Sequence, residues 1–331
     1  MNTGSEDIKG HERLIDALKA AIRHNQVSHA YLFEGTRGAG KTQLAKAFAK
    51  TLQCESGGET ACGTCVACRQ FDSGNQPDVL YPAPTKTKAL GVDDVREQIN
   101  RAVDTKPYMH RYKIFIVEDA DNLSPAAQNA LLKTLEEPPS YAIFLLLTEN
   151  AGALLPTVLS RCVTYKLRPL PQDIVERHLT ENGISPAAAR LAAVYAQGSI
   201  GRALEIAASE RFAELRTLMV GILAGIRDRD LTALFQAVKE LEAYKDDIQN
   251  ALDIAYLWFR DLATALTPGL DGATFLLQQD LTTQLMAEAD TTHSAAVHAQ
   301  LEAVWRAKRR LRQNGNFQMV LEVLLLDLQE A

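Results

Sequence analysis

Two kinds of apolar pattern alternate along the first half of the chain. Short continuous blocks occur at 29–35 (HAYLFEG), 113–118 (around IFIV) and 141–148 (YAIFLLLT). Their length and β-branched or aromatic content fit strands buried on both faces. Between them, apolar residues recur at helical spacing: Leu14, Leu18 and Ile22 within 10–27, then 38–52, 92–103 and 124–137. Pro138 and Pro139 stop the last of these helices. A proline-punctuated strand region, PDVLYPAP, lies at 77–84. Strands alternating with helices predict a parallel sheet covered on both faces. The alternation ends near Tyr165, and LRPLPQ (167–172) reads as a hinge. Everything beyond it reads as helix. Residues 173–207 suit about three helices, and 210–331 carry longer patterns such as Ile248, Leu252, Ala255, Phe259 and Leu262. There is no internal repeat and no low-complexity segment.

Between the first strand and its helix lies GTRGAGKT (35–42), a complete G-x-x-x-x-G-K-[ST] phosphate loop in the required strand–loop–helix setting. Gly35, Gly38 and Gly40 let backbone N–H groups turn toward phosphate, and the helix N-terminus adds a favourable dipole. Lys41 is placed to reach the β- and γ-phosphates, and the Thr42 hydroxyl to ligate Mg²⁺. The bound species expected is ATP or ADP with Mg²⁺. The strand IFIV runs into Glu118 and Asp119. ATPases of this type usually present Asp then Glu, one for the metal's water shell and one to activate the attacking water. Here the order is reversed. Thr148, at the tip of FLLLTEN (144–150), is placed to sense a γ-phosphate or a catalytic water, with Asn150 as a second choice. The plain alternative for Thr148 is a strand-end cap. Arg161, in TVLSRCVTYKL (157–167), falls in a predicted loop or short turn. It is a candidate arginine finger, though a lone Arg is more often an ordinary surface charge.

Composition adds three things. The 331 residues allow two or three domains, with 47% hydrophobic and 23% charged residues as in ordinary globular proteins. The net charge of −6 argues against a stand-alone nucleic-acid binder. No apolar run approaches the ~20 residues that span a bilayer, and the polar N-terminus does not resemble a secretory signal, so no membrane partner is expected and the cytoplasm is the default location. Of five cysteines, Cys54, Cys62, Cys65 and Cys68 lie close together, separated by seven, two and two residues. Four thiolates in one excursion suit a closed, structural Zn²⁺ site. An iron–sulfur cluster and reduced, unliganded thiols are the competing readings. Cys162 stands apart and reads as structural.

The ordered set of phosphate loop, four-cysteine insert, GVDDVR (91–96), NALLKTLEEPP (129–139) and LSRC (159–162) closely resembles the clamp-loader subunits of the bacterial DNA polymerase III holoenzyme, members of the AAA+ family. The resemblance extends to GSIGRALE (198–205) and NFQMVLEVLLLDL (316–328), and so covers the whole chain, most tightly over 29–165. It implies an α/β P-loop (RecA-like, AAA+) domain over 1–166 with a zinc-binding insert at about 54–68. A small helical lid domain follows over 167–208, then an all-α collar over 209–331. Two kinds of subunit share these motifs, the gamma/tau motor and delta-prime. The motor has Asp-Glu where this chain has Glu118-Asp119. It has an arginine where this chain has Gly201, with Arg202 displaced by one and retained as a nucleotide-binding candidate. It also carries residues beyond its collar, which is the last pattern read here. These departures point to the delta-prime type. The resemblance then implies a hetero-oligomeric, pentameric ring with gamma/tau and delta subunits. Arg161 would complete a neighbouring ATP site, and the complex would load the sliding clamp on primed DNA. Two rivals are an autonomous gamma/tau-type motor and a zinc-dependent nucleic-acid module. No Lys or Arg lies between Cys54 and Cys68, which counts against the second. The run RAKRRLR (306–312) reads either as a contact for acidic neighbours or DNA or as a solvated helix face.

Overall fold

The computed structural model describes residues 10–85, 89–269, 272–313 and 315–331. The polar stretch 1–9 lies outside the described residues. The chain divides into two compact units: Met1–His178 with Gln197–Arg202, and Leu179–Ala196 with Ala203–Ala331.

The first unit is built on five strands: β1 (Ala30–Glu34), β2 (Val79–Leu80), β3 (Lys113–Val117), β4 (Ala142–Thr148) and β5 (Val163–Lys166). Their order is β2-β3-β4-β1-β5, and every pairing is parallel. The registers Ala30↔Phe144 to Glu34↔Thr148 and Lys113↔Ala142 to Val117↔Leu146 bring the C-terminal tips of β1, β3 and β4 to one edge. Side chains alternate across the sheet. Tyr31 and Phe33 join one core with Leu14 and Leu18 of helix α1 (Glu12–Arg23) and Leu44 and Phe48 of α2 (Lys41–Gln53). Ala30, Leu32, Phe115 and Phe144 join the other, with Leu131 and Leu135 of α5 (Pro125–Glu136). Phe115 and Phe144 stack at 5.1 Å across the β3–β4 seam. The parallel five-stranded sheet between helical layers, with a phosphate loop after β1, is an α/β P-loop core.

Local chemistry sets the helix ends. Ser124 caps α5 by accepting from Ala127 N at 3.2 Å, with Pro125 at the first helical position. The helix predicted at 38–52 starts only at Lys41, because Gly38 and Gly40 take positive φ (74° and 93°) and hold the preceding loop out of helical geometry. The predicted helix 92–103 begins as α4 (Val92–Val95) and continues as π-helical turns over Arg96–Arg101. Asn100 there is tied to α5, donating to Ala130 O and accepting from Thr134 Oγ1, both at 2.9 Å. Two elements went unpredicted: α3 (Val66–Asp72) inside the cysteine excursion, and β5, whose largely exposed side chains leave no apolar run.

Beyond the hinge come α7 (Gln172–Glu181), α8 (Pro186–Ala196) and α9 (Ile200–Ala208), the three helices expected over 173–207. They follow the short α6 (Pro156–Leu159). Helix α8 belongs to the second unit, which also contains α10 (Glu210–Leu223), α11 (Leu231–Glu242), α12 (Ile248–Ala265), α13 (Gly272–Phe275), α14 (Thr282–Ala289), α15 (Ser294–Arg312) and α16 (Phe317–Glu330). Helix α12 is its centre, with Leu252, Trp258, Phe259 and Leu262 all buried. Among the described residues, no helix is long and apolar enough to cross a membrane.

A buried carboxylate organises a loop in each unit. Asp78, 1% exposed, accepts the backbone N–H groups of Tyr108, Met109 (2.9 Å) and His110 (3.0 Å). Asp261, on α12, accepts from Leu277 N (3.1 Å) and Gln278 N (2.9 Å) and pairs with Arg260. Asp78→Ala leaves three donors without their acceptor and should destabilise the chain by about 2–4 kcal/mol in urea unfolding. A loss under about 0.5 kcal/mol would show that water replaces the carboxylate there.

Candidate functional site

The phosphate loop leaves β1 at the C-terminal edge of the sheet. Gly35 N donates to Thr148 O at 3.1 Å, fixing the start of the loop to the end of β4. Lys41 Nζ turns back and donates to Gly35 O (2.6 Å) and Thr36 O (3.0 Å). Burial lowers the Lys41 pKa, opposed by the nearby charges of Glu149, Asp121 and Asp119. Thr42 Oγ1 donates to Glu118 Oε1 at 3.1 Å. The hydroxyl and the carboxylate expected at a Mg²⁺ ion therefore meet at one point, as required of two groups that share a cation.

These side chains open on a cavity of about 660 Å³. Gly38, Gly40, Lys41, Thr42, Glu118 and Asp119 all line it, as the sequence predicted. So do Asp121, Glu149 and Arg37, which the sequence reading did not select. Four carboxylates thus face two cations, Arg37 and Lys41. A polyphosphate entering this ring needs a divalent cation to offset the acids, so the donor set fits a nucleotide only together with its metal. Asp119 is held at φ 48°, a left-handed conformation uncommon for a residue with a side chain.

Thr148 is 1% exposed, does not line the cavity, and its Oγ1 accepts from Asn150 N at 3.1 Å. The strand-end cap is the arrangement present, and the neighbouring Glu149 faces the cavity instead. Both faces of β4 are buried and its sequence is apolar almost throughout, so no alternation marks which residue at its tip faces the cavity.

A second segment grips the loop from outside. Ser199 Oγ donates to Arg37 O (3.1 Å) and accepts from Arg202 N (3.1 Å), while Gly201 N donates to Gly38 O at 3.1 Å. A Cβ on Gly201 would lie 3.0 Å from Gly38 O and 3.1 Å from Gly38 Cα, both backbone atoms. An arginine at this position would have to push the phosphate loop aside. Arg202 joins the grip through its backbone, and its side chain is not among the cavity's lining residues.

Arg161 lies just past α6, away from this cavity. Its guanidinium pairs with Glu136 at 2.7 Å and donates to Thr157 O at 2.8 Å and Ser160 Oγ at 3.3 Å. The side chain keeps 33% of its surface exposed and Glu136 keeps 48%.

The four clustered cysteines do converge. Their Sγ atoms all lie within 4.8 Å of one another, and Cys54 and Cys65 are 4.0 Å apart. Four sulfurs at 2.3 Å from one tetrahedral ion would stand slightly closer, so the set fits a metal with little movement. Hydrogen bonds from the Thr64 and Cys65 backbone lower the Cys62 pKa to about 5. Burial pushes Cys54 up, but the Cys62 N–H and the Ser56 groups outweigh it and leave it lowered. Burial pushes Cys68 up to about 12. Cys162 is half-buried away from the cluster, and desolvation raises its pKa to about 11.

A family model described as DNA polymerase III, delta subunit, matches residues 10–171. The DNA polymerase III subunit delta' of Bacillus subtilis is 32% identical over 324 residues, covering 96% of this chain and 96% of that one. The tau/gamma subunit of Haemophilus influenzae is 41% identical over 209 residues, but these are 60% of this chain and 30% of that protein. Among solved structures, a gamma subunit-related protein of Thermotoga maritima aligns over 96% of this chain and 98% of its own, with 18% identity and a TM-score of 0.45.

The close backbone approach at Gly201 makes a direct prediction. Gly201→Ala should cost about 1–3 kcal/mol in thermal or urea unfolding, because the contact atoms belong to the loop backbone and cannot swing away. An unchanged midpoint would mean the grip on Gly38 is not held in solution.

Proposed function

We propose a role for this chain from its family: it belongs to the delta-prime subunits of DNA polymerase III, components of the clamp loader. Within that membership the chain acts as a nucleotide-holding partner of other subunits more than as a motor. It binds ATP or ADP with Mg²⁺ through Gly35, Gly38, Gly40, Lys41 and Thr42, and Glu118 shares the metal with Thr42. Its own hydrolysis is slow or absent. The observation that carries this reading is the reversed acidic pair on an otherwise complete loop. Glu118 is already engaged with Thr42 at 3.1 Å. That leaves Asp119, one methylene shorter than Glu and fixed in a left-handed turn, to reach the attacking water. A general base must come within about 2.6–3.2 Å of the proton it takes, directly or through one water.

Arg161 serves a neighbour. It would leave Glu136 and stabilise charge on the phosphoryl group of an adjacent gamma/tau subunit. An exposed ion pair contributes only about 0–1 kcal/mol, so exchanging Glu136 for a polyphosphate is a favourable trade. Residues 1–166 act as the AAA+ domain, 167–208 as a lid, and 209–331 as the collar of a pentameric ring with gamma/tau and delta subunits. The assembly loads the sliding clamp on primed DNA in the cytoplasm. Zn²⁺ is the metal of Cys54, Cys62, Cys65 and Cys68, and with four thiolates it has no open position for catalysis.

The higher local identity to tau/gamma keeps one alternative in view, a motor that hydrolyses ATP itself. A steady-state assay separates them. The isolated chain should turn over far below ~1 s⁻¹, and a rate at or above that value supports the motor. In a complex reconstituted with gamma/tau and delta subunits, Arg161→Ala should lower ATPase activity by about 10³-fold at the site it completes. Retention of full activity would remove Arg161 from that role. Mercurial titration of the purified chain should release one equivalent of zinc. Release of iron and sulfide instead would identify a cluster.

A further inference from the structure

The basic run near the end of α15 separates into two sets. Arg306 pairs with Asp327 at 2.9 Å and lies 3.9 Å from Glu302, and Lys308 pairs with the largely buried Asp253. These cations hold α15 against α16 and α12. Arg309, Arg310 and Arg312 are exposed, and none has a carboxylate partner among the described residues. Three uncompensated guanidinium groups within one helical turn are unusual in a chain of net charge −6.

An aromatic plane accompanies them. Trp305 is 59% exposed, and Arg309 lies 5.8 Å from the centre of its ring. Trp305, Arg309 and Arg312 are spaced i, i+4 and i+7, so they share one face of α15. The other tryptophan, Trp258, is fully buried in α12, as is usual for so large an apolar group.

We infer that this face of α15 binds single-stranded nucleic acid, with an unstacked base lying on Trp305 and the backbone phosphates on Arg309 and Arg312, and on Arg310 at the flank of the face, about 100° round the helix from Arg309. Single strands are bound by this combination of stacking platform and cationic track. An acidic protein segment would use the guanidinium groups but leave the indole plane without a role. The surface lies wholly in the second unit and does not depend on whether the phosphate loop holds or hydrolyses nucleotide.

The test uses the full chain and a fluorescein-labelled oligo-dT of about 20 nucleotides, longer than one typical site, at low salt. Anisotropy should show binding, accompanied by quenching of tryptophan emission. Trp305 is the exposed one of the two tryptophans, so the quench should vanish in Trp305→Phe. Trp305→Ala should weaken binding by about tenfold. The triple change Arg309→Ala, Arg310→Ala, Arg312→Ala should weaken it further and reduce the slope of log K against log[salt] by about 2, three phosphates at about 0.7 each. Circular dichroism of each variant checks that α15 is intact. Several results would overturn the inference: no binding at low salt, binding without quenching, binding unaffected by the triple change, duplex DNA competing as well as the single strand, or polyglutamate displacing the oligonucleotide at equal charge. The last would identify an acidic protein as the partner.

Discussion

The phosphate loop depends on where its carbonyl groups go. A loop that offers its N–H groups to a ligand must give its C=O groups other partners, since buried main-chain groups seldom go unpaired. Here each has one. Lys41 takes Gly35 O and Thr36 O, Ser199 takes Arg37 O, Gly201 takes Gly38 O, and Leu44 N takes Gly40 O. Two of the five bonds come from the loop's own lysine, and two from a segment more than 150 residues later in the chain. The lysine bonds are the exchangeable ones. An arriving phosphate replaces two carbonyls for Lys41, while the grip of 199–201 stays in place. Gly201 is the small residue that this grip requires.

The acidic strand meets the loop at one point. Glu118, just past the end of β3, accepts from Thr42 Oγ1 at 3.1 Å. Asp119 follows in a turn that sends the main chain into a 3₁₀ segment at Ala120–Asn122.

Much of this was legible in the sequence, and the rest fails for identifiable reasons. The phosphate loop, the acidic strand and the cysteine set are local patterns, so spacing alone picked out Lys41, Thr42 and Glu118, which line one cavity, and the four thiols, which converge. Strands β1, β3 and β4 were legible because both their faces are buried. β5 was not, because it lies at the sheet edge with exposed side chains. The π-helical turns were invisible because their sequence has ordinary helical periodicity, and what distinguishes them is the tie from Asn100 to α5. Glu149 was missed in favour of Thr148 because the tip of a strand does not declare which residue faces the ligand. The grip of Ser199 and Gly201 and the anchoring role of Asp78 join residues far apart in sequence, and no motif encodes such pairs. The basic run was seen, but only coordinates could divide it into paired and unpaired cations.

Helix α2 has a property that its two ends make plain together. It begins at the lysine of the phosphate loop and ends at Gln53, one residue before the first clustered cysteine. Its 13 residues span about 20 Å. Lys50, 3% exposed, binds Asp72 near the far end, lashing α2 to the short helix that carries Cys68. Sulfur cluster and phosphate loop are therefore the two tips of a single strut. A stiff beam clamped at one tip wobbles less at the other, so the cysteine excursion steadies the amide groups of a cavity it never touches.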